Sequence, residues 1–103
     1  MKKKKSNNQF EIEILSKNYI ESKRKLKEHD SNLASYSTNR IRAYKRIVTH
    51  IEDVAKLLPE KERIIIENEV IHGKKGSWYL EFFSASSYYR HRNAAYSDFL
   101  NCL

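Results

Sequence analysis

The sequence predicts an all-α protein. Glycine occurs only twice and proline once in 103 residues. That is too few turn formers for a sandwich or barrel, whose hairpins need residues tolerant of positive φ. Apolar residues recur at alternating steps of three and four, the period of packed helices. The expected architecture is an N-terminal helical hairpin or long helix followed by a three-helix helix-turn-helix. A chain that is 40% hydrophobic and 32% charged supports a modest core under a well-solvated surface. Its length suits one compact domain, or a helical arm plus a small domain.

Residues 1–9 are expected to be a disordered basic tail. Lys2 to Lys5 read either as a solubilising segment or as an electrostatic arm for an anionic partner. Residues 10–57 form the expected arm or hairpin. From Phe10 to about Asp30, Ile12, Leu15, Tyr19, Ser22, Leu26, His29 and Leu33 mark one helical stripe, with Ser22 and His29 its weakest members. Lys17, Lys23, Arg24, Lys25 and Lys27 fall largely elsewhere on the wheel and should be solvated. A stronger stripe follows at Ile41, Tyr44, Val48, Ile51, Ala55 and Leu58. It does not continue the first: extending that run reaches Tyr36, Arg40, Ala43 and Ile47, each one residue early. The phase slips near "SYSTNR", whose Ser, Thr and Asn are cap formers. A break there allows two helices to pack as a hairpin; one long helix with a local adjustment is the alternative.

Residues 58–103 carry the expected helix-turn-helix. Pro59 can stand at the first position of a new helix. Glu60 and Glu62 then fall in its first turn, where negative charge suits the helix dipole. Ile64, Ile65, Ile66, Val70 and Ile71 carry the helix to Gly73, a natural left-handed cap. "KKGS" reads as a turn. Ser77 can cap a short helix holding Trp78, Leu80, Phe82 and Phe83, and Ser84 can cap a last helix to about Asn101. On that helix Tyr88, Ala95 and Phe99 form the inner face with part of Arg92, and Tyr96 and Leu100 lie to one side. Trp78, Phe82, Phe83 and Tyr88 read as core, since aromatics at helical spacing usually pack. Ser86, Tyr89, Arg90 and Asn93 fall on the opposite face.

Charge and cysteine usage exclude several classes. The net charge is +7 and is unevenly placed. Residues 1–58 hold 14 Lys/Arg against 7 Asp/Glu, whereas residues 59–103 hold 6 of each. A polyanionic partner fits the basic half. A single cysteine, Cys102, rules out an internal disulfide and fits a reducing cytosol. His29, His50, His72 and His91 are scattered, so no metal site is expected. The first ten residues start like a signal peptide, but no apolar core follows. No apolar run approaches the roughly 18–20 residues of a membrane span. A cytoplasmic protein without membrane contact is therefore expected. No Gly-rich phosphate loop, nucleophile elbow or paired-acid site is present, and no enzymatic activity or cofactor is expected. Glu60, Glu62, Glu67 and Glu69 read as a solubilising acidic group.

The last 45 or so residues support a resemblance. The opening "LPEKER", Gly73, the segment "SWYLEFFSASSYYRHR" and the closing "AAYSDFL" resemble the fourth region of bacterial sigma factors. They are closer still to the C-terminal part of ArpU-type phage transcriptional regulators. The resemblance implies a DNA-binding helix-turn-helix with Ser84 to Tyr96 as recognition helix. The run of basic residues usual after Tyr-Tyr-Arg is thin here, with Asn93, Ala94 and Ala95. Residues 1–57 match no sigma element. A composition low in Gly and rich in Lys, Ile and Asn fits an AT-rich bacterial genome.

The expected partner is double-stranded DNA. Arg90 can fork to guanine, Asn93 can pair with adenine, and the Ser86 and Tyr89 hydroxyls can reach phosphate. Arg92, Lys74 and Lys75 would meet the backbone. Arg40, Arg42, Lys45 and Arg46 form a second basic group that reads either as a solvated face or as further phosphate contacts. The alternative is a protein-interaction module, binding RNA polymerase or forming a homodimer through the heptad stripes of the arm.

Overall fold

A computed structural model describes residues 7–103. The lysine-rich start, Lys2 to Lys5, lies outside them. Four α-helices appear in order: α1 (Asn7–Asp30), α2 (Thr38–Leu57), α3 (Glu60–Ile66) and α4 (Ala85–Cys102). A π-helical turn (Glu67–Ile71) prolongs α3, and a 3-10 turn (Trp78–Glu81) precedes α4. Among the described residues there is no strand, so the fold is all-α. Helix α1 starts three residues ahead of the expected Phe10.

The chain breaks after Asp30. Asn32 adopts φ 59°, the left-handed region that Asn tolerates best after Gly. The Leu33 amide donates to the Glu28 carbonyl at 2.8 Å and the Asn32 amide to that of His29 at 3.1 Å. These are the two bonds of a Schellman cap. Ser37 then opens α2, its hydroxyl accepting from the Arg40 amide at 3.2 Å. The turn leaves Leu33 79% exposed, so it drops out of the expected stripe.

Helices α1 and α2 pack face to face. Ile12, Ser16, Tyr19 and Ser22 are buried on one, and Val48, Ile51, Val54 and Ala55 on the other. The Tyr19 hydroxyl donates to Glu52 across the pair, and Lys23 adds an ion pair to the same carboxylate at 3.4 Å. At the far end Tyr36 meets Tyr44 edge to face at 5.7 Å. The strongest members of the two heptad stripes are thus buried within the chain.

Pro59 holds the N-cap of α3, and its carbonyl accepts from the Arg63 amide at 2.8 Å. Ile65, Ile66 and Val70 are fully buried, together with Ala95 and Phe99 of α4. Each large side chain so placed contributes about 1.5–3 kcal/mol. The helical ladder loosens at Asn68, whose side-chain amide donates to the Ile64 carbonyl at 2.8 Å. A side chain that bonds four residues back competes with the backbone for that acceptor. The following turn widens to a π turn, and Gly73 closes it at φ 62°. Ser16 donates to the Val70 carbonyl at 2.9 Å, satisfying an acceptor near the helix end.

The expected short helix at 78–83 is a single 3-10 turn, and Ser77 makes no side-chain cap. Trp78 and Phe83 pack partly against the core, but Phe82 stays 53% exposed and Leu80 61%. One 3-10 turn is too short to hide four apolar side chains. Ser84 caps α4, accepting from the Ser87 amide at 3.3 Å.

Candidate nucleic-acid interface

Helix α4 has two distinct faces. The inner one holds Tyr88, Ala95, Tyr96 and Phe99, all buried. The outer one exposes Ser86, Arg90 and Asn93 side by side. Tyr89 stands at the border, half-exposed, its ring 5.1 Å from that of Tyr88 and 6.2 Å from that of Tyr79. Tyr79 itself lies flat on Tyr88 at 3.8 Å.

Arg92 is not an open cation at the end of a long arm. Its guanidinium lies over the rings of Tyr89 at 4.9 Å, Tyr96 at 5.6 Å and Tyr88 at 6.0 Å, a cation–π arrangement. Its Nε is buried without a hydrogen-bond partner. Lys74 and Lys75 are exposed on the Gly73–Gly76 loop. With Tyr89 and Arg92 they border a cleft of about 680 Å³ against the first half of α1.

Glu69 organises the floor of that cleft. Its carboxylate accepts from the Trp78 indole N–H at 3.0 Å and from the hydroxyls of Tyr88 and Tyr96. Burial, aided by the Glu69 carboxylate, pushes both tyrosine pKa values well above the ordinary phenol value. A buried Tyr or Trp needs an acceptor for its polar end, and one carboxylate serves three. The π turn delivers Glu69 to this position. Glu69 is thus a structural hub rather than a solubilising charge. Glu62 is not simply solvated either. Burial and the neighbouring Asp98 carboxyl push its own carboxyl up to about 7.

The basic group on α2 lies elsewhere. Arg40 stacks over Tyr36 at 5.3 Å and Tyr44 at 6.0 Å, at the loop end of the α1–α2 pair. Arg42, Lys45 and Arg46 are exposed nearby on the same helix. Ser16 and Ile20 border the cleft, whereas Glu28 and His29 meet Tyr36. At 1.5 Å per residue along α1 these two sets are separated by roughly 15 Å. The structure therefore gathers Tyr89, Arg92, Lys74 and Lys75 in one place, sets Ser86, Arg90 and Asn93 beside it, and holds the Arg40–Arg46 group apart.

Sequence reasoning missed Glu69, and it missed Lys17, which α1 brings to the same cleft. A carboxylate embedded between Ile66 and Val70, followed by Tyr and Trp residues that each need an acceptor, was the available signal for Glu69. Nothing local marks Lys17. Cys102 is exposed and free. Among the described residues no cluster of three potential ligands could hold a metal, and no helix is long and apolar enough to cross a membrane. No family model, curated protein or solved structure matches the chain.

Proposed function

We propose that the protein is a DNA-binding transcriptional regulator of the ArpU-like, sigma region 4-like kind, with α4 as its reading helix. One observation carries the reading. Ser86, Arg90 and Asn93 stand exposed together on the outer face of the N-terminal half of α4, the half that enters the major groove in a helix-turn-helix. Lys74 and Lys75 stand exposed on the preceding loop and serve as backbone contacts. The resemblance of residues 58–103 to that family supports the same assignment.

Residues 59–103 are formally neutral, so the grip on phosphate must come from the basic first half. Helix α1 sets Lys17 beside α4, and its other cations, Lys23, Arg24, Lys25 and Lys27, lie further along the same helix. The Arg40–Arg46 group joins only on a duplex long enough to reach the far end of the hairpin. Fluorescence anisotropy with random and genomic duplexes over a salt series tests the proposal. Salt-dependent binding, weakened by Arg90→Ala with Asn93→Ala, supports it. Absence of binding at low salt sinks it.

A second reading has its own observation. Leu80 and Phe82 are largely exposed on the 3-10 turn, which suits docking on a protein such as RNA polymerase. A complex with the polymerase that forms without DNA and is lost in Leu80→Ser with Phe82→Ser favours that reading.

A further inference from the structure

We propose that the cleft between α1, the Gly73–Gly76 loop and α4 is a nucleotide-binding site. Its volume of about 680 Å³ falls within the range of small-ligand sites, about 300–1,000 Å³. Two features choose the ligand.

The first is a set of cations from separate elements. Lys17 comes from α1, and Lys74 and Lys75 come from the loop. Among the described residues no carboxylate lies within ion-pair distance of any of the three, whereas Lys23, Arg24, Lys25 and Arg63 are paired. Two carboxylates, Glu13 and Glu69, also border the cleft. Neither is free, and Glu69 already takes three donors. An anion with several oxygens satisfies the lysines best. The positive φ of Gly73 and Gly76, 62° and 79°, brackets the two loop lysines. The turn also passes so near α1 that a Cβ on Gly73 would meet the Ile20 side chain at 2.8 Å.

The second feature is a wall of π faces. Tyr79 is stacked on Tyr88, Tyr89 stands half-exposed beside them, and the Arg92 guanidinium backs the group. Such platforms hold bases without regard to their identity. Phosphate on the lysines and a base on the tyrosines together describe a nucleotide. It can be free, or an unpaired nucleotide within a single strand. The cleft shares Lys17, Lys74 and Lys75 with the proposed duplex backbone contacts, but Ser86, Arg90 and Asn93 do not border it.

Trp78, the only tryptophan, reports on the cleft through its bond to Glu69. Its fluorescence in the full chain is to be titrated at low salt with AMP, UMP, uridine, inorganic phosphate and a dT hexamer. We expect saturable binding of a monophosphate or of the hexamer. Uridine and phosphate alone should each bind at least about tenfold more weakly, lacking one half of the recognition. Lys17→Ala with Lys75→Ala, and separately Tyr89→Ala, should also weaken binding by about tenfold or more. All three residues are exposed, and circular dichroism confirms that these variants fold. Arg90→Ala with Asn93→Ala should leave nucleotide binding unchanged, which distinguishes the cleft from the duplex-reading face. Binding of AMP or UMP identifies a free nucleotide; binding of the hexamer alone identifies a strand. No saturable response to any of them, a response indifferent to the lysine substitutions, or phosphate binding as tightly as the nucleotide overturns the proposal.

Discussion

Replacing Glu69 by alanine removes the shared acceptor of Trp78, Tyr88 and Tyr96. The two tyrosines are 4% and 7% exposed, so their hydroxyls have little water to turn to. A hydrogen bond to a charged group is worth about 1.5–3 kcal/mol, which puts the two buried ones at about 3–6 kcal/mol. Trp78 is only partly buried, and its N–H can reach solvent, so it adds little. Removing the carboxylate also removes the cost of having desolvated it. A net loss of about 3 kcal/mol remains, a large part of the roughly 5–15 kcal/mol that stabilises a domain. Glu69→Gln keeps one carbonyl acceptor and the side-chain shape, and should lose only about 1 kcal/mol. Urea unfolding followed by circular dichroism measures both. With a slope of about 1.5 kcal/mol per molar, Glu69→Ala should lower the midpoint by about 2 M and Glu69→Gln by under about 1 M. An unchanged midpoint for Glu69→Ala would refute the reasoning, because the three donors would then have acceptors elsewhere.

Glu62 should make stability fall from mildly acidic to mildly alkaline pH. Its folded pKa of about 7 lies above the ordinary 4.5, so its contribution is complete below pH 4.5 and lost as pH rises through 7. The drop should be about 1–2 kcal/mol after solvent screening, and Glu62→Gln should flatten it and raise the melting temperature at pH 8. Tyr19, Tyr88 and Tyr96 are held above the ordinary phenol value, chiefly by burial and then by their Glu partners. Their contribution is intact below about pH 10 and lost above it. Ultraviolet titration should therefore show three of the seven tyrosines ionising only as the chain unfolds. Ser84→Ala removes the α4 cap and should cost about 1 kcal/mol in urea unfolding.

The helical stripes were legible because they are made of strong apolar residues. Val48, Ile51, Ala55 and Leu58, and Ile65, Ile66 and Val70, all lie where periodicity puts them. The inner face of α4 was legible for the same reason. On α1 the reading was weaker, because two buried positions are serines and Leu33 falls beyond a left-handed Asn32. The 3-10 turn was read as a helix because Trp, Leu and Phe fit either period over so short a span. The cleft was not legible at all. It depends on a π turn that rotates Glu69 under the tyrosines, and on α1 lying alongside a loop more than fifty residues away in sequence. Those are tertiary facts: the sequence around Glu69 hints at an embedded acceptor, but not at the cleft that it floors.

The central claim is that α4 reads duplex DNA while the basic first half supplies the grip. Anisotropy of a labelled genomic duplex over a salt series, for the parent chain, Arg90→Ala with Asn93→Ala, and Lys17→Ala, tests it most directly. The account predicts that the α4 variant loses preference for the genomic over the random duplex, by about tenfold or more, with the salt slope lowered by about one for the lost Arg90 contact. Lys17→Ala should weaken both duplexes alike and lower the salt slope by about one. Genomic and random duplexes bound equally well by the parent chain, with an affinity indifferent to Arg90 and Asn93, would contradict it.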